Sequence, residues 1–450
     1  MDRLEDLGER LSAPGRRADG LNAPLRRAAI VGAGWAGMAA AVTLAGLGVP
    51  VTVFEASRNL GGRARRVDIE GIALDNGQHI LIGAYRETLA IMRRVGVDPG
   101  RVLLRLPLEL RYADGFRLRA PRLPYPLNLI AAFATARGLS VADGMAAARF
   151  MRALAADRFV VSPDRPVAQW LDEHGQRGEL RARVWEPLCV SALNTPASTA
   201  SAQVLARVLR DGLTGSREAS DLLLARADLG AIFPVPAARF VEARGGEVRL
   251  GNAVRRLSRE GASFFVDDSA EPFGALIVAC GPQHAAALLS PFPELAATAA
   301  VTDALDYEPI VTCYLKYPES VALPSPMLGI HRGLAQWLFD RGRLDGQKGL
   351  IAAVISASGP HDELSKEELA RRIAAELRSA LPGLPPPDWS RVITEKRATF
   401  SCRPSLQRPA PRTAVSRLLL AGDYVASDYP GTLESAIRSG ISAANSAATC

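Results

Sequence analysis

Residues 28–55 restrict what this chain can fold into more than any other stretch. An apolar run, Ala28–Val31, leads into Gly32, Gly34 and Gly37 in a GxGxxG spacing. Small and apolar residues over 38–47 predict a helix, and Val51–Glu55 predicts a second apolar strand ending on an acid. Strand, glycine turn, helix and strand in this order make a parallel βαβ unit. Gly32 allows the tight turn, Gly34 lets backbone approach a pyrophosphate, and Gly37 lets helix and strand pack closely. The helix N-terminus then faces phosphate charge, and Glu55 is placed to accept from ribose hydroxyls. The unit predicts a bound dinucleotide, which would carry the chemistry.

One such unit does not use up the chain. At 450 residues it exceeds what a single hydrophobic core usually organises, so two domains are expected. An apolar fraction of 48% with 22% charged residues is ordinary for a globular protein. The formal net charge of +7 rests mostly on arginine, since lysine occurs only at 316, 348, 366 and 396. That balance suits an anionic cofactor or an anionic lipid surface. The arginines are scattered and no nucleic-acid module is recognisable, so no nucleic-acid partner is expected. Cys189, Cys280, Cys313, Cys402 and Cys450 are far apart without CxxC spacing, which predicts free thiols and no metal site. Residues 1–27 mix charge, Pro and Gly without the apolar core of a signal peptide, and are expected to be a mobile leader. No stretch reaches about 18 uncharged apolar residues, so no transmembrane helix is expected. These features predict a cytoplasmic location, with any membrane contact peripheral and on the cytoplasmic face.

Short apolar strands alternate with helical patterns early and late, which predicts an α/β fold with α+β character overall. A Rossmann-like nucleotide domain is expected from residues 28–100, 225–290 and 395–450, and a discontinuous substrate domain from 101–224 and 291–394. Within the middle nucleotide segment the pattern predicts a helix over 236–244, strands at 247–250 and 253–257, and a buried strand over 275–281. Residues 126–156 read as helices. The segment 121–135, PRLPYPLNLIAAFAT, is apolar, Pro-interrupted and flanked by Arg119, Arg122 and Arg137. Two readings are open there: a core helix behind a loop, or a surface that dips into a bilayer with arginines at the headgroups. Residues 361–380 predict an amphipathic surface helix.

The βαβ unit alone does not separate a nicotinamide from a flavin dinucleotide, but three later features favour FAD. Gly61-Gly62-Arg63 closely follows Glu55; paired glycines again allow close approach, and Arg63 can neutralise pyrophosphate with a planar, multi-donor head. A late strand over 417–421 runs into Gly422-Asp423, a carboxylate suited to the polyol chain of a flavin. Residues 430–436, PGTLESA, open a final helix whose first amides can face the electron-rich end of the flavin ring. Gly440 within that helix reads as merely tolerated.

VGAGWAG at 31–37, FEAS at 54–57, GGRA at 61–64, AGD at 421–423 and the TLESA helix together resemble the FAD-containing amine oxidase and phytoene desaturase superfamily. Within it, DNGQHILIGAY at 75–85, PLCVSALNT at 187–195 and the run 421–440 are similar to the hydroxysqualene dehydroxylase family. The resemblance covers nearly the whole chain after the leader. It implies FAD, with a pyrophosphate loop on Gly32, Gly34, Ala36 and Gly37, a ribose acid on Glu55 and a second phosphate clamp on Gly62 and Arg63. It implies an adenine-side backbone contact at Val254, and flavin-side contacts at Gly77, Gln78, Gly422, Asp423, Thr432 and Leu433. Two departures from the amine oxidases stand out. Their flavin-facing lysine maps onto Thr312 and their cage tyrosine onto Thr432, so amine oxidation is not expected.

The same resemblance implies a flavin-dependent oxidoreductase of squalene and hopanoid synthesis, which removes the hydroxyl of hydroxysqualene by hydride transfer from reduced flavin. Hydroxide leaves poorly, so the reaction needs a general acid. An allylic cation must be kept from water, so the prenyl-lipid pocket should be long and apolar. His79 is the first choice for the acid, with Glu186 and Asp428 behind it. Tyr85, Trp185 and Tyr429 are candidates for the pocket wall or for stabilising cationic charge. With only one dinucleotide motif in the chain, the electron donor is expected to be external. Two other readings stay open: a carotenoid-type desaturase that removes hydride instead of delivering it, and a non-catalytic flavin-binding scaffold.

Overall fold

The computed structural model of the chain describes residues 25–69 and 71–449. Of the expected leader, residues 1–24 lie outside these; Leu25 and Arg27 are packed against the domain, contrary to the expectation, while Arg26 is exposed. Leu25 is buried, and Arg27 pairs with Glu271 and donates to Thr52 Oγ1.

The glycine unit sits in a five-stranded parallel sheet. Its strands are β1 (Ala28–Val31), β2 (Val51–Glu55), β3 (Glu247–Leu250), β4 (Ala275–Val278) and Leu418–Leu420. They lie in the order β3, β2, β1, β4, 418–420. This is the strand order of a dinucleotide-binding half-fold, whose ligand crevice opens beyond the carboxyl ends of the strands. In register, Ile30 lies between Val53 and Ile277, and Ile277 beside Leu419. These near-continuous aliphatic runs are what a parallel sheet covered on both faces demands.

Helix α1 (Trp35–Gly46) is buried on almost every side, as a helix between layers must be. It packs on the helix Pro234–Glu242 and on the C-terminal helix Leu433–Thr449. A Cβ on Gly37 would stand 1.9 Å from the carbonyl oxygen of Gly32, and one on Gly440 would stand 2.1 Å from that of Ala36. Gly440, which reads as tolerated in the sequence, is therefore required by the packing of two helix backbones.

A second, antiparallel sheet holds β5 (Tyr307–Lys316), β6 (Met327–Gly329), β7 (Trp337–Asp340), β8 (Leu350–Ser356) and β9 (Trp389–Phe400), in the order β6, β7, β8, β5, β9. One face carries Val311, Cys313 and Leu315 into a core with Leu369, Ile373 and Leu377 of the amphipathic helix Lys366–Ala380. By the twofold alternation of a strand, Ile310, Thr312 and Tyr314 point the other way, toward the nucleotide domain. The Tyr314 hydroxyl donates to the carbonyl of Asp75 at 2.8 Å. Helices α2 (Leu127–Ala134), α3 (Val141–Ala156) and α4 (Glu186–Leu193) complete this region.

Several sequence expectations shift. β9 runs through residue 395 and pairs with β5 from end to end, so 395–400 belong to the second sheet. Leu222–Ala225 pairs with both Ile80–Ile82 and Leu103–Leu106, and Leu103 and Leu223 bury with the nucleotide-domain core. Long-range strand pairing thus overrides the linear cuts at 100, 224 and 395. The strand expected at 253–257 does not form, because the N–H groups of Arg255 and Arg256 both donate to Asp267 Oδ1 (2.7 and 2.9 Å). A hairpin starts instead at Leu257–Glu260. Residues 121–135 are not a core helix: α2 buries only Asn128 and Ala132 and exposes Leu127 and Ile130. Among the described residues no helix is long and apolar enough to cross a membrane.

Candidate active site

A cavity of about 730 Å³ opens at the carboxyl ends of β1 and β2 and extends to the second sheet, a size usual for ligand sites. Of the residues picked out from the sequence, Gly32, Gly34, Ala36, Glu55, Gly62, Arg63, Gly77, Gln78, His79, Gly422, Asp423, Thr432 and Leu433 line it. Gly37 lies behind the loop, where it sets the helix–strand approach. Val254 does not line the cavity; its half-buried side chain packs on the core below the sheet.

The nucleotide end is built from backbone. Gly32 has φ +107°, and a Cβ there would meet Ala279 O at 2.8 Å, so only glycine makes this turn. The first bond of α1 runs from Met38 N to Gly34 O, no side chain caps the helix, and its first turn holds no acid. Its leading N–H groups therefore point at the cavity unpaired, as an anion site requires. Gly62, at φ +61°, would bring a Cβ within 3.2 Å of Gly34 Cα, so the two glycine loops touch. Glu55 accepts from Ala33 N (2.6 Å) and Ser57 N (2.8 Å), which fixes its carboxylate beside the loop.

Arg63 and Asp423, expected to serve different parts of the ligand, pair with each other. Arg63 also donates to Ala398 O at 2.8 Å. Burial works against the guanidinium charge, but Asp423 beside it outweighs burial and holds its pKa above the ordinary value. This pair ties the early glycine loop to the late strand end, more than three hundred residues apart in sequence.

The turn 75–79 is held from below. Arg341, 3% exposed at the side chain, donates to Asp75 Oδ2 (3.1 Å) and Gln78 Oε1 (2.9 Å) and pairs with Asp345. The other Asp75 oxygen accepts from Leu229 N at 3.0 Å. His79 Nδ1 lies 3.0 Å from Gly77 O. A carbonyl only accepts, so Nδ1 carries the hydrogen and Nε2 is the atom free to exchange a proton. Burial pushes the His79 pKa below its ordinary value, against the raising influence of Gly77 and Asp75.

The second sheet and α4 supply an apolar wall of Ile310, Trp337, Phe339, Val354 and Ala192. The Trp337 indole N–H donates to Ser191 Oγ at 3.0 Å. Thr312 is fully buried and its hydroxyl has no partner among the described residues. The position assigned to the amine-oxidase lysine thus carries no amine. Lys316, nearby in sequence, donates to Lys348 O and does not line the cavity.

The weaker acid candidates leave the site. Glu186 pairs with Arg181 at 2.7 Å and Asp428 with Arg207 at 3.4 Å, and neither lines the cavity. Trp185 is a core residue bonded to Gln176, and Tyr429 donates to Asp211 Oδ2 outside the cavity. Tyr85 does line it, with its pKa raised by burial and by Glu434. Trp337, Phe339, Arg341, Ser191 and the β9 residues Glu395, Lys396 and Arg397 carry no local sequence signal for this site; only the sheet and its neighbours bring them there.

The residues fit a flavin dinucleotide. A free helix N-terminus, two touching glycine loops and the buried Tyr424 hydroxyl, which has no partner among the described residues, line one cavity. The model of the flavin-containing amine oxidoreductases matches residues 35–448. A hydroxysqualene dehydroxylase of Sinorhizobium fredii (strain NBRC 101917 / NGR234) is 30% identical over 92% of this chain and 97% of its own length. Another, from Rhodopseudomonas palustris (strain ATCC BAA-98 / CGA009), is 29% identical over 92% and 97%. In fold, the chain is similar to an oxidoreductase from Methanosarcina mazei, with TM-score 0.69 and 16% identity over 92% of this chain and 99% of that one.

Proposed function

Since the chain belongs to the flavin-containing amine oxidoreductases, and within them to the hydroxysqualene dehydroxylase family, we propose that this FAD-dependent oxidoreductase converts hydroxysqualene to squalene. The observation that carries the reading is the composition of the cavity. It joins a dinucleotide cradle to an aromatic and aliphatic wall and holds two imidazoles, His79 on the turn held by Arg341 and His284 on another segment; Thr312, buried outside the lining, carries no amine. Gly34, Gly62, the α1 N-terminus, Glu55 and Asp423 would hold the cofactor, which supplies the hydride when reduced and bound.

The chain's own residues prepare the carbon that receives it. His79, protonated at Nε2, gives its proton to the allylic hydroxyl, and the C–O bond breaks with water leaving. Trp337 and Phe339, which both line the cavity, supply the aromatic rings that stabilise the resulting cation. The Trp337 N–H is already taken by Ser191, so the indole brings no free donor of its own. Ile310 and Val354 keep water from recapturing the carbon. The long prenyl chain is the partner this wall suits, and reducing equivalents come from an external donor.

Anaerobic incubation of the FAD-loaded protein with hydroxysqualene and a chemical flavin reductant, followed by lipid analysis, tests the reading. Squalene is the expected product. Desaturation of phytoene in place of squalene formation would reverse the direction of hydride transfer, and flavin that reduces but is never reoxidised by prenyl alcohol would leave a binding scaffold.

A further inference from the structure

Nine large apolar side chains stand exposed among the described residues, and seven of them lie between Leu123 and Val160. Leu127 (53% exposed) and Ile130 (59%) form a stripe on α2, and Val141 (81%) and Met145 (52%) form one on the first turns of α3. The spacings i, i+3 and i, i+4 put each pair on one helix face. The two helices pack together around Phe133 and Gly144, so the stripes belong to one surface. A concentrated apolar patch on an otherwise polar exterior marks an interaction site.

The charge around it is one-sided. Residues 115–160 hold seven arginines against two aspartates. Asp143 is committed to the capping box with Ser140, and Arg117 and Arg119 share Glu109. Arg122, Arg137, Arg149 and Arg152 are exposed and make no ion pair among the described residues. A second copy of the chain seated here by twofold symmetry would bring these arginines face to face, at a cost. A bilayer with anionic headgroups satisfies both features at once: the stripes enter the acyl boundary and the guanidinium groups meet phosphate.

The geometry points to α2, α3 and the 121–126 loop as a surface that docks on an anionic lipid bilayer without crossing it. The surface is also one helix away from the cavity. Phe133 of α2 stacks against Trp185 (centroids 6.3 Å), which directly precedes α4, and α4 carries Ser191 and Ala192 to the cavity wall. Docking does not depend on which reaction the cavity runs.

Co-sedimentation of the FAD-loaded protein with phosphatidylcholine–phosphatidylglycerol vesicles, and with phosphatidylcholine alone, tests this. The protein should sediment with the mixed vesicles and much less with the neutral ones. Leu127→Glu with Ile130→Glu should lower vesicle binding by about tenfold or more, since two inserted side chains become charged, while flavin absorbance stays. Arg122→Glu with Arg137→Glu should remove the preference for phosphatidylglycerol. Leu47→Glu with Leu250→Glu, exposed apolar positions elsewhere, should bind as the parent does. The proposal is overturned if the parent stays in the supernatant, if the Leu127/Ile130 variant sediments undiminished, or if that variant only dissolves a dimer and leaves vesicle binding unchanged.

Discussion

His79 shows how much of a residue's chemistry is set by what lies next to it. Its Nδ1 hydrogen is spent on Gly77 O, so any proton it delivers leaves from Nε2 of the imidazolium. Burial moves its pKa below the ordinary 6.5, so the charged form is scarce at neutral pH and grows as pH falls. If that form is the acid, kcat/KM for dehydroxylation should fall as pH rises through a midpoint below 6.5. His79→Ala should lower the rate by about tenfold or more, leave FAD bound and remove that limb of the profile. An unchanged rate in a pH series of the variant would take His79 out of the mechanism. His79 was legible as a candidate because the family resemblance implies that Gly77, Gln78 and His79 lie near the flavin. Arg341, which holds that turn through Asp75 and Gln78, was not, because it stands more than 260 residues away in sequence.

At the scale of elements, glycine pattern and hydrophobic run were good guides where a local rule set the outcome. Ala28–Val31, Val51–Glu55 and Glu247–Leu250 form where the pattern puts them. The pattern was a poor guide where a distant partner decided. Asp267 takes the amides of the expected strand at 253–257, and β9 crosses a boundary drawn from composition. Gly440 makes the point testable. Intrinsic propensity says Gly440→Ala should stabilise the last helix by up to about 1 kcal/mol. The 2.1 Å approach to Ala36 O says the reverse. Overpacking of this kind costs about 1–3 kcal/mol, so thermal and denaturant unfolding of Gly440→Ala should show a loss of that order, with weaker FAD retention because Ala36 lines the cavity.

For the whole molecule, the cofactor site is where distant segments meet. Glycine loops from 32–37 and 61–63, the turn at 75–79, and strand and helix ends at 422–433 all line one cavity. Filling it should therefore stabilise the fold as a unit. FAD in about hundredfold excess over its Kd would add roughly 2.7 kcal/mol by mass action. Stripped protein should unfold at lower temperature in calorimetry and regain its midpoint on adding FAD; equal midpoints with and without FAD would mean the loops do not close on it. The amino-acid sequence by itself determined the dinucleotide half-fold and its cofactor class, because turns, strand runs and helix starts obey constraints acting within a few residues. Only the tertiary structure decided that Arg63 meets Asp423, that Thr312 is buried, that Trp337 and Phe339 line the cavity, and that α2 turns its leucine and isoleucine outward. Those outcomes depend on which surfaces are buried against which, and burial is a property of the assembled chain.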